Sequence, residues 1–184
     1  MIQADGRFFL LGAILLLVLP LDWILAVVFA GLFHEWFHIL SVFRLGGRII
    51  HVSVEPGGCV LKTDEMEDWK QFLCILAGPV GSFLLVILCH FTPKTAICGL
   101  FQGLYNLLPV LPLDGGHLIQ LLLYKVCPER TDRILHFLAV GTSIAVDLLA
   151  IWISMTMQSG IWPILLAVVW NLKILPGKNT LQRI

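Results

Sequence analysis

Residues 33–38 read FHEWFH, and they place two histidines and a glutamate where the spacing can do chemistry. On a helix, residues four apart share a face one turn apart, so His34 and His38 can present both imidazoles to one metal ion. Glu35, beside them, can take a proton from a water bound to that metal. The surroundings sharpen the reading. The preceding run, FFLLGAILLLVLPLDWILAVVFAGL, holds a single charge, Asp22. Ionisable groups at membrane depth are costly and face a bundle interior or a cavity, so such a trio is read as functional. One histidine by itself would be read as a core side chain satisfied by polar neighbours.

A catalytic zinc takes three protein ligands and leaves a position open for water. The sequence must therefore supply a third ligand. Asp114 leads, because Pro109, Pro112, Gly115 and Gly116 interrupt the helix around it. Interrupted backbone at membrane depth is tolerated where it is buried in protein or lines a cavity. Depth agrees: the intervals from His34 to Arg44 and from Asp114 to Lys125 both put the candidate within roughly 15 Å of one membrane border. Asp147 lies at a similar depth relative to Arg133, and His117 follows Asp114 by one helical turn. Their ordinary readings are a carboxylate bonded to Thr142 or Ser143 and a supporting or pore-lining histidine. Spacing alone leaves Asp114 only modestly ahead. The five cysteines are scattered through apolar segments without a CxxC pair and read as small buried thiols.

These residues need long apolar elements to hold them. Hydrophobic residues make up 58% of the 184, charged residues 13%, and mean hydropathy is +0.91. The expected class is an α-helical polytopic membrane protein with about six spans, at about 8–19, 22–43, 72–91, 95–123, 136–157 and 161–175. The first apolar stretch runs on too far, and lacks a clear small-residue cleavage site, to be a signal peptide. Pro79 should kink the third span, whose AGPVGS carries small residues spaced for close packing. After the HExxH helix, Arg48–Leu61 alternates around Glu55-Pro56-Gly57-Gly58 and predicts a small membrane-associated β-hairpin. Six spans put eleven of the twelve Lys and Arg residues on one side and only Lys94 on the other, so both termini should be cytoplasmic. The zero formal charge gives no case for nucleic acid as a partner.

GLFHEWFH in the second span, AGPVGS in the third and NLLPVLPLDGG in the fourth together resemble the site-2 proteases, intramembrane zinc metallopeptidases. The resemblance covers nearly all of the chain. It implies one zinc ion per chain held by His34, His38 and Asp114, with Glu35 as acid and base. It also implies that Asn106 bonds the substrate backbone or the developing oxyanion; the ordinary reading of Asn106 is a helix-packing amide. YNLLPVLPLDGGHLIQLLLYKV is most similar to the sporulation branch of that family, which cleaves a membrane-bound sigma-factor precursor. The implied substrate is thus a transmembrane or membrane-associated regulatory protein, of sigma-factor-precursor or anti-sigma-factor type, cut near the cytoplasmic face of a bacterial cell membrane. The expected organisation is a single protease domain over 1–184 without PDZ or CBS modules, with an oligomer or a regulatory membrane partner left open.

Two other classes compete. A membrane transporter or metal-handling protein would use the His/Asp cluster as an ion path, and a non-catalytic scaffold would keep zinc for stability. Substituting Glu35 separates them, since only the protease loses cleavage.

Overall fold

Proline fixes φ and lacks an N–H, so it is at home where a helix begins. Pro20 stands at the start of α1, Leu21–Arg44, and its carbonyl accepts from Trp23 and Ile24. Asp22 in the first turn and Arg44 in the last suit the helix dipole. Gly46, at φ 81°, takes the left-handed conformation that turns the chain out of the helix. Along α1, Ala26, Ala30, His34 and Val42 are buried while Leu21, Leu25, Phe29, Leu32, Trp36 and Phe43 are exposed. A large apolar face left outward is the mark of a helix whose solvent is lipid.

The computed structural model describes residues 2–4, 20–55, 58–64, 66–87, 89–156 and 160–174. Elements follow in the order β1 (Ile2–Ala4), α1, β2 (Ile49–Glu55), β3 (Gly58–Thr63), α2 (Asp68–Ile87), α3 (Pro93–Asn106), α4 (Asp114–Val126), a 3-10 turn (Pro128–Arg130), α5 (Thr131–Thr156) and α6 (Trp162–Ile174). The chain divides into two compact units, Met1–Leu107 and Leu108–Ile184.

In the first unit, β2 and β3 pair antiparallel, with Ser53 opposite Val60 and Val54 opposite Cys59. The alternation in Arg48–Leu61 anticipated these strands. It gave no hint of β1, which adds in parallel on the other edge of β2, Gln3 opposite Ser53. Helices α1, α2 and α3 pack on one another through glycines. A Cβ on Gly99 of α3 would sit 2.8 Å from the Ser82 carbonyl oxygen of α2, and one on Gly103 would sit 2.9 Å from the Phe83 ring. Only a bare backbone allows so close an approach. At the start of α2, Glu67 accepts from the Trp69 indole N–H at 2.5 Å and pairs with Lys70. The indole bond first, and the ammonium second, hold its carboxyl below the usual value.

In the second unit, α5 packs on α4 and on α6. Asp147 of α5 accepts from Asn171 Nδ2 of α6, at 2.8 Å and 2.9 Å to its two oxygens. Its partner is thus on the neighbouring helix, whereas its own sequence pointed to Thr142 or Ser143; the Thr142 hydroxyl donates to the Leu138 carbonyl instead.

Leu21–Arg44, Asp68–Ile87 and Pro128–Thr156 are long and apolar enough to cross a membrane. With their apolar outer faces, they make this an integral membrane protein with helical spans. The expected fourth span, 95–123, is two helices, α3 and α4, separated at 107–113. Pro109 and Pro112 cannot donate to a helical ladder, and Gly116 meets the Val110 and Leu111 backbone so closely that a Cβ would lie 2.5 Å from the Val110 carbonyl carbon. The 161–175 stretch holds a helix of 13 residues, α6, which is shorter than a full crossing. The expected 8–19 span lies outside the described residues.

Candidate metal centre

The two histidines of α1 point to α2, and α2 is built to receive them. A Cβ on Gly78 would stand 2.1 Å from His38 Nε2, and one on Gly81 would stand 2.5 Å from the Phe37 ring. The AGPVGS segment is therefore a trough in which imidazole replaces a missing side chain. Pro79, inside α2, lacks the N–H that would occupy the Ile75 carbonyl, which loosens this turn. The adjacent Cys74 carbonyl accepts from His38 Nδ1 at 2.7 Å. Because a carbonyl can only accept, His38 carries a proton on Nδ1, which leaves Nε2 as the nitrogen that could ligate a metal. His34 Nδ1 lies 2.9 Å from the Ser82 hydroxyl, which can take the same part for that ring.

With both Nδ1 atoms held from behind, the two Nε2 atoms face each other at 3.2 Å. Two nitrogens on one tetrahedral zinc, bonded at about 2.0–2.1 Å, stand about 3.3 Å apart. The pair fits that requirement. The backing of each ligand by a hydrogen bond at its other nitrogen is the usual support of a metal-binding imidazole. His34 is buried, and the Glu35 Oε2 atom, one residue on, is also shut off from solvent.

α3 runs alongside α1 in the same direction. Lys94 near its start pairs with Asp22 near the start of α1 and lies over the Trp23 ring. Further along, Gln102 Nε2 stands 3.9 Å from where a Cβ on Gly31 would be. One more turn on both helices brings Asn106, the last residue of α3, to the level of Glu35.

In the second unit, Asp114 is the first residue of α4, where a carboxylate is favoured by the helix dipole. Its Oδ2 atom is buried, as are Gly115 and Gly116 behind it, the latter against the 110–111 backbone. His117, one turn further, is exposed. Asp147 is engaged by Asn171. Sequence reasoning identified the two histidines but passed over their supports: Ser82 was read only as a packing residue, and a carbonyl such as that of Cys74 has no sequence signal. A serine alone among large apolar side chains was the available hint.

Residues 88–146 match the model of Peptidase family M50. A protein of Synechocystis sp. provisionally named zinc metalloprotease sll0528 is 28% identical over 141 residues, which is 65% of this chain and 37% of that protein. The chain thus spans little more than a third of the length of this curated relative. Among solved structures, the site-2 protease from Methanocaldococcus jannaschii superposes with a TM-score of 0.66 at 20% identity, covering 91% of this chain and 85% of that one. Residues 88–146 are thus similar in sequence to Peptidase family M50, and the chain shares the fold of the Methanocaldococcus jannaschii site-2 protease over most of its length.

Proposed function

We propose that this protein is a zinc-dependent intramembrane endopeptidase, with His34, His38 and Asp114 as the ligands, Glu35 as acid and base, and Asn106 as a substrate- or oxyanion-binding amide. The observation that carries the reading is the preset imidazole pair: two Nε2 atoms at 3.2 Å with both Nδ1 atoms held from behind. The donor set, two imidazole nitrogens and one carboxylate oxygen, suits zinc and leaves room for water. When bound, zinc supplies Lewis-acid polarisation of the attacking water and of the scissile carbonyl. Glu35 accepts the proton of that water and returns it to the leaving amine. The buried position of Oε2 favours a base that can exchange a proton without competing bulk water.

A peptide bond inside a transmembrane helix is shielded by its own hydrogen bonds, so the substrate segment unwinds before it reaches Glu35. The outer edges of the β1–β2–β3 sheet offer main-chain groups with which an unwound segment can pair. The substrate we propose is a single-span or membrane-associated regulator of the sigma-factor-precursor or anti-sigma-factor type, cut near the cytoplasmic side. Both termini are proposed to lie in the cytoplasm, a reading supported by the charge asymmetry of the sequence.

The test is co-expression with tagged single-span candidates. Wild type should yield two fragments, and Glu35→Gln should yield none while keeping its zinc. Asp114→Asn should lose zinc and Asp147→Asn should keep it. A Glu35→Gln protein that still cut the substrate, or one that changed ion flux with no cleavage in wild type, would overturn the proposal.

A further inference from the structure

Gln102 has no place in the ligand set, yet its side chain reaches Gly31 of α1, one turn before His34 and Glu35. Its Nε2 lies against Gly31, which shares a helix face with His34 and Glu35 three and four residues on. Gln102 and Asn106 likewise share one face of α3. Gly99 and Gly103 of the same helix are turned to α2.

A half-buried carboxamide in an apolar helix is a cost unless something uses it. Among the described residues, Gln102 forms no side-chain hydrogen bond, although it has two donors and two acceptor sites. Gly31 of α1, whose would-be Cβ stands 3.9 Å from Gln102 Nε2, has no side chain to cover that nitrogen. One helical turn, about 5.4 Å, separates the Gly31 level from Glu35. An extended peptide advances about 3.3 Å per residue, so a chain being cut beside Glu35 passes Gln102 one to two residues from the scissile bond.

We infer that Gln102 is a substrate-binding residue whose carboxamide hydrogen-bonds the main chain of the unwound segment next to the scissile bond. The inference rests on the protease reading and specifies what that site recognises. Unwinding strips N–H and C=O groups of their helical partners, and in an apolar site each orphaned group is costly. A carboxamide carries the same donor and acceptor as a peptide group and can replace those partners with any side chain on the substrate. The interaction is therefore sequence-tolerant and matters most when the substrate is a stable helix.

The experiment uses the zinc-loaded enzyme and two forms of a tagged single-span substrate found by co-expression: the native segment, and one carrying Asn-Gly beside the scissile bond to break the helix in advance. Gln102→Met should slow cleavage of the native segment by about ten- to hundredfold and of the helix-broken one by less than about threefold, with unchanged zinc content. Gln102→Glu, which keeps the shape and loses the donors, carries the same comparison if the methionine variant is poorly made. Equal losses on both substrates would make Gln102 a packing residue and overturn the inference, as would no loss on either. Failure of the wild type to cut either form would overturn the protease reading itself.

Discussion

At the scale of the residue, the metal centre is a problem of aiming two rings. A metal-binding imidazole is usually oriented by a hydrogen bond at its other nitrogen, and here a hydroxyl and a main-chain carbonyl stand at those positions. Ser82→Ala removes the support of His34 without touching a ligand, and should weaken zinc binding by about 10- to 100-fold in competition with a chelator. Gly78→Ala should do more damage than its single methyl group suggests. That methyl would stand 2.1 Å from His38 Nε2, so the ring must leave its position, and both zinc and cleavage should be lost. If Gly78→Ala retained full zinc at full activity, the trough would have no part in placing His38. The histidines and Glu35 were legible from FHEWFH because helical periodicity alone puts them on one face. Ser82 and Cys74 were not, because their role depends on which face of α2 meets α1.

At the scale of the element, glycines set how near the helices of the first unit approach. Gly99 and Gly141 are both helical glycines in apolar spans, and the sequence does not tell them apart. The structure does: a Cβ on Gly99 meets the Ser82 carbonyl oxygen, whereas one on Gly141 meets nothing within 4 Å. Gly99→Ala should destabilise the purified protein by about 1–3 kcal/mol, because main chain cannot step aside as a flexible side chain can. Gly141→Ala should be neutral or stabilising by up to about 1 kcal/mol, since alanine is the better helix former. Thermal unfolding of both variants in one detergent reads the difference, and equal shifts would contradict the packing described. The break at 107–113 belongs to this scale too. Its prolines announced an interruption, but an apolar stretch of 95–123 reads equally well as one kinked span, and the spacing of hydrophobic residues cannot decide between a kink and two helices.

At the scale of the whole molecule, the outward apolar faces fix what surrounds the protein, and the basic residues expected on one side are the basis of the proposed orientation. Cys89 and Cys127 are free thiols, the first exposed just after α2 and the second at the end of α4. The proposed orientation puts Cys89 outside and Cys127 in the cytoplasm. A membrane-impermeant maleimide applied to intact cells should label the native Cys89 and spare Cys127, and opening the cells should expose Cys127. The reverse pattern would invert the topology. Lys94 pairs with Asp22 where α1 and α3 begin together.

The residues of the chain determined by themselves that helices would lie in a lipid environment, that one of them would carry a histidine pair spaced to share a metal, and that a broken segment would follow with an aspartate in it. These follow from periodicity, hydropathy and the stiffness of proline, all of which act over a few neighbouring residues. Only tertiary structure decided that Ser82 and the Cys74 carbonyl would back the imidazoles, that Ile2–Ala4 would join the sheet, that Asp147 would answer to Asn171, and that Gln102 would stand over Gly31. Each of these is a meeting of residues far apart in the chain, and such meetings depend on helix register and rotation, which no local pattern encodes.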